Sequence, residues 1–179
     1  FEFFLPITYY IWKHAERQAG RLAAVYGKRT LLLYGSERVV KNGLLPSIEK
    51  NIESCGGICE RYGGITENPV LSTAEKICIF AKEKQIDLLL AVGGGSVIDT
   101  AKAVSIGSCY SGKLWDFYSG KAVPEKALPI GVVLTIGGNS QRSQLCFGII
   151  PMRTIGKKTA FYSSADVIQI CIAESGTYY

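Results

Sequence analysis

The sequence predicts an α/β fold built on a parallel sheet. Three observations carry that expectation. Apolar runs at 29–34, 86–92 and 128–135 have the length and composition of strands buried on both faces. Stretches with helical spacing stand between them, the alternation expected of βαβ units. The run at 86–92 passes directly into Gly93-Gly94-Gly95-Ser96, a glycine turn that opens a helical stretch.

Taken in order, 29–34 is a short buried strand ended by Gly35-Ser36. Asn42-Gly43 marks a break, and 44–52 has helical spacing, stopped by Gly56-Gly57. A second strand fits 57–65. Residues 71–84 form an amphipathic helix with Ile77, Ile79, Phe80 and Ala81 inside and Glu75 or Lys76 outside. Ser72 or Thr73 is placed to cap it. After the strand at 86–92, 97–104 reads as a helix ended by Gly107, and 128–135 is a further buried strand. Crossovers between parallel strands are expected to be right-handed.

Composition narrows the function classes. The 179 residues are 47% hydrophobic and 20% charged, as in an ordinary globular domain, and their length is that of one domain. The formal net charge is +5, yet Lys13, Arg17, Arg21, Lys28, Arg29, Lys41, Lys82 and Lys84 are scattered. That distribution describes a solvated face, so no nucleic-acid partner is expected. Six cysteines contain no CxxC pair, and Cys55 and Cys59 have no nearby histidine, which argues against a zinc site. Cys78 lies in an apolar helical run and reads as core. No signal peptide and no apolar run of about 18 residues occurs, so a reducing, cytoplasmic setting without a membrane partner is expected.

The glycine turn carries chemistry. Glycines let backbone N–H groups approach an anion closely, and a helix N-terminus adds unpaired donors and a positive dipole end. Ser96 could donate its hydroxyl or cap the helix. Three consecutive glycines match neither GxGxxG nor GxxxxGK[ST]. A phosphate cradle and a simple tight turn therefore both stand as readings. Asp99 lies near the helix start, where a carboxylate is favoured, and Lys102 is spaced to pair with it or to face solvent.

At 90–104, Leu-Ala-Val-Gly-Gly-Gly-Ser-Val-Ile-Asp-Thr-Ala-Lys-Ala-Val, the sequence resembles the dinucleotide-binding motif of the iron-containing alcohol dehydrogenases, in particular the butanol-dehydrogenase-like branch. Further stretches agree in order: Phe-Glu-Phe-Phe-Leu-Pro at 1–6, the segment 26–35, Lys41-Asn42-Gly43, Glu67-Asn68-Pro69, Trp115-Asp116-Phe117, Gly120-Lys121, and 128–135. The resemblance covers residues 1–136 and implies a Rossmann-like nucleotide-binding domain, lacking the family's all-helical metal-binding domain. It implies that Gly93, Gly94, Gly95 and Ser96 cradle the pyrophosphate of NAD or NADP. Asp99 then belongs near the nicotinamide-side ribose or the substrate cleft. Gly35, Ser36 and Glu37, with Arg38, would lie at the adenosine ribose, and Asn68 and Thr135 would line the cleft. Glu37 favours NAD by accepting from a free 2′-hydroxyl, whereas Arg38 could pair with a 2′-phosphate. The balance leans to NAD.

Two departures stand out. Ile7-Thr8 and Ile11-Trp12 replace the family's Pro-Thr and Phe-Gly near the start. Beyond Ile136, Gly-Gly-Asn-Ser-Gln-Arg-Ser-Gln replaces an Ala/Gly-Thr/Ser-Glu stretch. Permitted codons for 169–179, read one base later, spell a segment close to the family's own. Residues 137–179 are therefore expected to be an atypical tail, poorly ordered or frameshift-derived, with a divergent but genuine tail as the alternative.

In the resemblance an Asp and three His of the helical half hold iron or zinc. His14 is the sole histidine here, read as exposed or at a helix start, so no metal ligands are expected in this chain. Catalytic residues stay unassigned. The reading is an NAD(P)-dependent alcohol dehydrogenase or aldehyde reductase acting on a small primary alcohol or aldehyde, inactive as these residues alone. The alternatives are a non-catalytic nucleotide-binding fragment and a glycerol-dehydrogenase-like relative. Trp115-Asp116-Phe117 and the run from Leu128 favour the first over the last. A homodimer is the assembly the resemblance implies.

Overall fold

The computed structural model describes residues 8–11, 18–67, 70–134 and 169–173. The elements are β1 (Thr8–Ile11), α1 (Ala19–Tyr26), β2 (Arg29–Tyr34), α2 (Arg38–Lys41), α3 (Leu44–Ser54), β3 (Ile58–Tyr62), α4 (Leu71–Glu83), β4 (Leu88–Gly93), α5 (Gly95–Ser108), α6 (Trp115–Tyr118), β5 (Ile130–Leu134) and β6 (Gln169–Ala173). The six strands form one sheet in the order β1-β6-β5-β4-β2-β3. Every neighbouring pair is parallel. The α/β reading with a parallel sheet is the observed architecture. Of residues 137–179, positions 169–173 form β6, and the remainder lies outside the described residues.

Helices cover both faces of the sheet. Leu31 and Leu33 of β2, Leu89 and Ala91 of β4, and Ile130 and Val132 of β5 pack with α4, α5 and α6. The alternate residues Leu32 and Tyr34, Leu88, Leu90 and Val92, and Val133 pack with α1, α2 and α3. Burial on both faces is why these strands read as continuous apolar runs. A single Leu→Ala change at Leu32 or Leu89, both fully buried, is expected to cost about 2–5 kcal/mol.

Four local expectations are corrected. In α4 the buried residues are Ala74, Ile77, Cys78 and Ala81, an i, i+3, i+4, i+7 stripe. Ile79 falls off that stripe and is 57% exposed rather than inside. The residue at the start of α4 is Val70, and neither Ser72 nor Thr73 caps it, because the helix begins one residue ahead of Ser72. Gly107 does not end α5. It is buried in the last turn, where Cys78 and Leu114 press against it. Likewise Ser96 is not the cap of α5; Gly94 holds that position and Ser96 is the second helical residue. Asn42-Gly43 does break the chain, with Gly43 at φ +83 ahead of α3.

The strand order fixes where a site can form. From β2 the chain moves outward to β3, then returns through α4 to β4 on the other side of β2. From β4 it continues through α5 away from β2, to β5. Strands β2 and β4 are therefore neighbours whose onward connections leave in opposite directions. In open α/β sheets the crevice at the carboxyl ends of such a pair is where ligands bind.

A candidate nucleotide site at the carboxyl ends of β2 and β4

Strand β4 ends at Gly93 and α5 begins at Gly95, so Gly94 alone makes the turn. The amides of Val97 and Ile98 donate to the Gly94 carbonyl at 3.1 and 3.2 Å. The amides of Gly95 and Ser96 come before these first helical bonds and have no carbonyl one turn back to reach. They point out of the N-terminus of a 14-residue helix. Gly94 has an ordinary extended backbone, φ −99 and ψ −165. Among the described residues, a Cβ added at Gly94 or at Gly95 meets no atom within 4 Å. Neither conformation nor packing by the described residues accounts for the side chain missing at Gly94. Open space over exposed N–H donors is what an anion cradle requires.

Gly93 differs from its neighbours: an added Cβ would stand 2.8 Å from Cγ2 of Val97. Gly35 follows β2, and because Tyr34 pairs with Val92, it is brought beside Gly93. An added Cβ at Gly35 would lie 2.6 Å from the Ile65 carbonyl oxygen and 3.4 Å from the same Cγ2 of Val97. The Ile65 amide donates to the Tyr34 carbonyl at 3.3 Å, which ties the end of β3 to this layer. Both predicted glycine turns thus meet at the crevice between β2 and β4.

Ser36 and Glu37 are exposed and lead into α2. The Ser36 hydroxyl accepts from the Arg38 amide at 3.1 Å, and the Glu37 carbonyl accepts from the amides of Val40 and Lys41. Arg38 is exposed as well. Asp99 sits one turn into α5, with its carboxylate 3.8 Å from Lys102 Nζ and both side chains mostly buried. Of the two readings for Lys102, pairing is the one observed. Tyr118 of α6 packs nearby. Burial, then the charge of Cys78 once it ionises and of Asp99, push its hydroxyl up to about 12.

The structure brings together Gly35, Ser36, Glu37, Gly93, Gly94, Gly95 and Ser96, with Asp99 a turn deeper. Asn68, Thr135 and His14 lie outside the described residues. Among the described residues no three or more His, Cys, Asp or Glu side chains form a group suited to a metal ion. No helix among them is long and apolar enough to cross a membrane. Sequence reasoning missed Val97 and Ile65. Each is an ordinary apolar residue whose part in the site comes only from the way the strands are ordered.

Residues 6–174 match the iron-containing alcohol dehydrogenase family. The chain belongs to that family. The match runs beyond residue 136, where the recognisable motifs stop. Over 111 residues the chain is 44% identical to the probable NADH-dependent butanol dehydrogenase 2 of Bacillus subtilis, covering 62% of this chain and 28% of the relative. It is 31% identical over 140 residues to the NADPH-dependent aldehyde reductase YqhD of Escherichia coli, covering 76% and 35%. The crystal structure of NADH-dependent butanol dehydrogenase A from Thermotoga maritima superposes with a TM-score of 0.81 at 31% identity, over 97% of this chain and 44% of that one. The chain thus spans less than half the length of these relatives, and the part matched is the family's nucleotide-binding half.

Proposed function

We propose that this chain is the nucleotide-binding part of an NAD(P)-dependent alcohol dehydrogenase or aldehyde reductase. The supporting observation is the uncovered backbone at Gly94 and Gly95, at the N-terminus of α5 and at the crevice between β2 and β4. The residues present fit a dinucleotide. The amides of Gly95 and Ser96 would donate to the pyrophosphate, helped by the dipole of α5. Gly93 and Gly35 let the two strand ends close beneath it. Ser36 and Glu37 would meet the adenosine ribose, and Asp99 the nicotinamide-side ribose or the substrate cleft. Asn68 and Thr135 are assigned to the cleft by resemblance alone. When bound, the nicotinamide supplies the hydride chemistry, and the protein's part is to hold and orient it.

The named relatives act on butanol or on aldehydes, with NADH in one case and NADPH in another. For this chain the proposed substrates are a small primary alcohol and its aldehyde, with NAD preferred over NADP through Glu37. Metal chemistry is a different matter. The family's set of one Asp and three His does not fit a sequence whose one histidine is His14, so no step is derived through iron or zinc here. That mismatch favours a second reading, in which these residues bind nucleotide without turning over an alcohol by themselves.

Calorimetric titration with NADH and with NADPH tests the proposal. Saturable binding of either, competed by ADP-ribose, is expected. Absence of binding in folded protein would overturn it.

A further inference from the structure

One methyl carbon faces both glycine turns. Cγ2 of Val97 lies 2.8 Å from where a Cβ of Gly93 would stand, and 3.4 Å from where a Cβ of Gly35 would stand. Val97 is only 5% exposed, so this methyl is enclosed. It is wedged between the end of β4, which opens the cradle, and the end of β2, which leads to Ser36 and Glu37. Its backbone amide also donates to the Gly94 carbonyl, which fixes the first turn of α5. The side chain is β-branched, so its methyl positions are held by a restricted χ1 rather than averaged over rotamers.

We propose that Val97 is a positioning residue that sets the separation between the pyrophosphate turn and the adenosine-ribose turn. This rests on the nucleotide reading of the site. A dinucleotide must reach both turns at once, and its contacts at each are worth full value only if the spacing matches. A ligand that reaches one turn is indifferent to that spacing. Val97 itself touches no ligand in this account. Its effect passes through Gly93, whose lack of a side chain lets the methyl approach, and through Gly35, where an added Cβ would meet the methyl at ordinary van der Waals range.

The experiment compares wild type with Val97→Ala, Val97→Leu and Val97→Thr in the full chain. Affinities are measured for NADH, for ADP-ribose, which spans both turns, and for inorganic pyrophosphate and adenosine, which each reach one. Val97→Ala withdraws the methyl. Val97→Leu exchanges the two γ carbons for one that carries two further methyls, so it reshapes the wedge while keeping apolar bulk and remains informative if the alanine variant fails to fold. Both are expected to weaken NADH and ADP-ribose by about tenfold or more, with pyrophosphate and adenosine changed by less than about threefold. Val97→Thr, which keeps both γ positions, should hold ADP-ribose within about threefold of wild type. Equal loss across all four probes makes Val97 a structural residue only and overturns the proposal, as does unchanged NADH affinity in the alanine or leucine variant. A wild-type protein that is folded yet binds none of the four overturns the nucleotide reading itself, a result distinct from either of these.

Discussion

The sulfur of Cys78 occupies the space that a side chain on Gly107 would need. A Cβ there would stand 2.6 Å from Cys78 Sγ and 2.9 Å from Leu114 Cδ1. Helices α4 and α5 approach so closely at this point that only glycine fits. Gly107→Ala should therefore destabilise the fold by about 1–3 kcal/mol, the usual cost of overpacking a core. Urea denaturation of the variant checks this, and stability equal to wild type would show that Cys78 and Leu114 give way without cost.

Gly94 makes the opposite case. Its backbone is extended and its missing side chain would meet none of the described residues. Gly94→Val is expected to melt within a few degrees of wild type and to lose nucleotide binding by about a hundredfold or more, because the new branch stands where the phosphates approach. Thermal melting and NADH calorimetry on one sample separate the two effects. Retained affinity in a folded variant would falsify the cradle.

Glu37 is the expected selector of cofactor. Wild type should bind NADH more tightly than NADPH, and Glu37→Gly should narrow or reverse that preference by removing the carboxylate that repels a 2′-phosphate. Paired titrations decide it. A wild type that prefers NADPH, with no change on substitution, would assign the choice to Arg38 or to neither.

Burial raises four acidic groups, the thiols of Cys59, Cys78 and Cys109 and the hydroxyl of Tyr118. The Cys59 thiol is raised by burial, then by Glu49 and Glu53, from 9.0 to about 12. The Cys78 thiol is raised mainly by burial to about 11, and the Tyr118 hydroxyl from 10.0 to about 12. Each group ionises in the unfolded chain before it does so in the folded one. The folded state therefore binds more protons above pH 9, and stability falls as pH rises from about 9 towards 12. Replacing Cys78 by Ala should flatten the part of this decline between about pH 9 and 11, by something on the order of 2 kcal/mol at its upper end. Denaturation midpoints across that range provide the measurement.

No butanol oxidation is expected from these 179 residues with NAD or NADP, with or without added iron or zinc. The motive is the lone histidine, His14, against a family requirement for three. Steady turnover that depends on added metal would show that the donors come from elsewhere in the chain.

The strands were legible because burial on both faces leaves an unbroken apolar run, as at Leu31, Leu32 and Leu33 or Leu88, Leu89 and Leu90. The glycine turn was legible as a turn because Gly93, Gly94 and Gly95 follow an apolar run and precede a helical one. Edges were less so. Ser72 and Ser96 look like caps, but Val70 and Gly94 hold those positions, since the chain's direction of entry rather than hydroxyl chemistry sets where each helix starts. Gly107 looks like a stop because a glycine admitted for close packing reads the same as one that ends a helix. Ile79 shows that an apolar residue can face outward when the stripe beside it is already complete. The meeting of Gly35 and Gly93 over Val97 depends on β4 returning to the far side of β2. No local pattern encodes that return.

The placement of β6 has a consequence for assembly in time. Thr8 pairs with Ile170, and among the described residues β1 joins the sheet through β6 alone, which is itself held by β5. Of the strands described, β1 comes earliest in the chain, yet it can join the sheet only once β6 is in place. Pairings between residues so distant along a chain are slow to form. Until β6 arrives, the outer edge of β5 presents unpaired backbone groups to any strand within reach. Interruption of synthesis before β6 should therefore leave β5 as a second open edge beside that of β3, and so a form of the sheet more prone to pair with copies of itself.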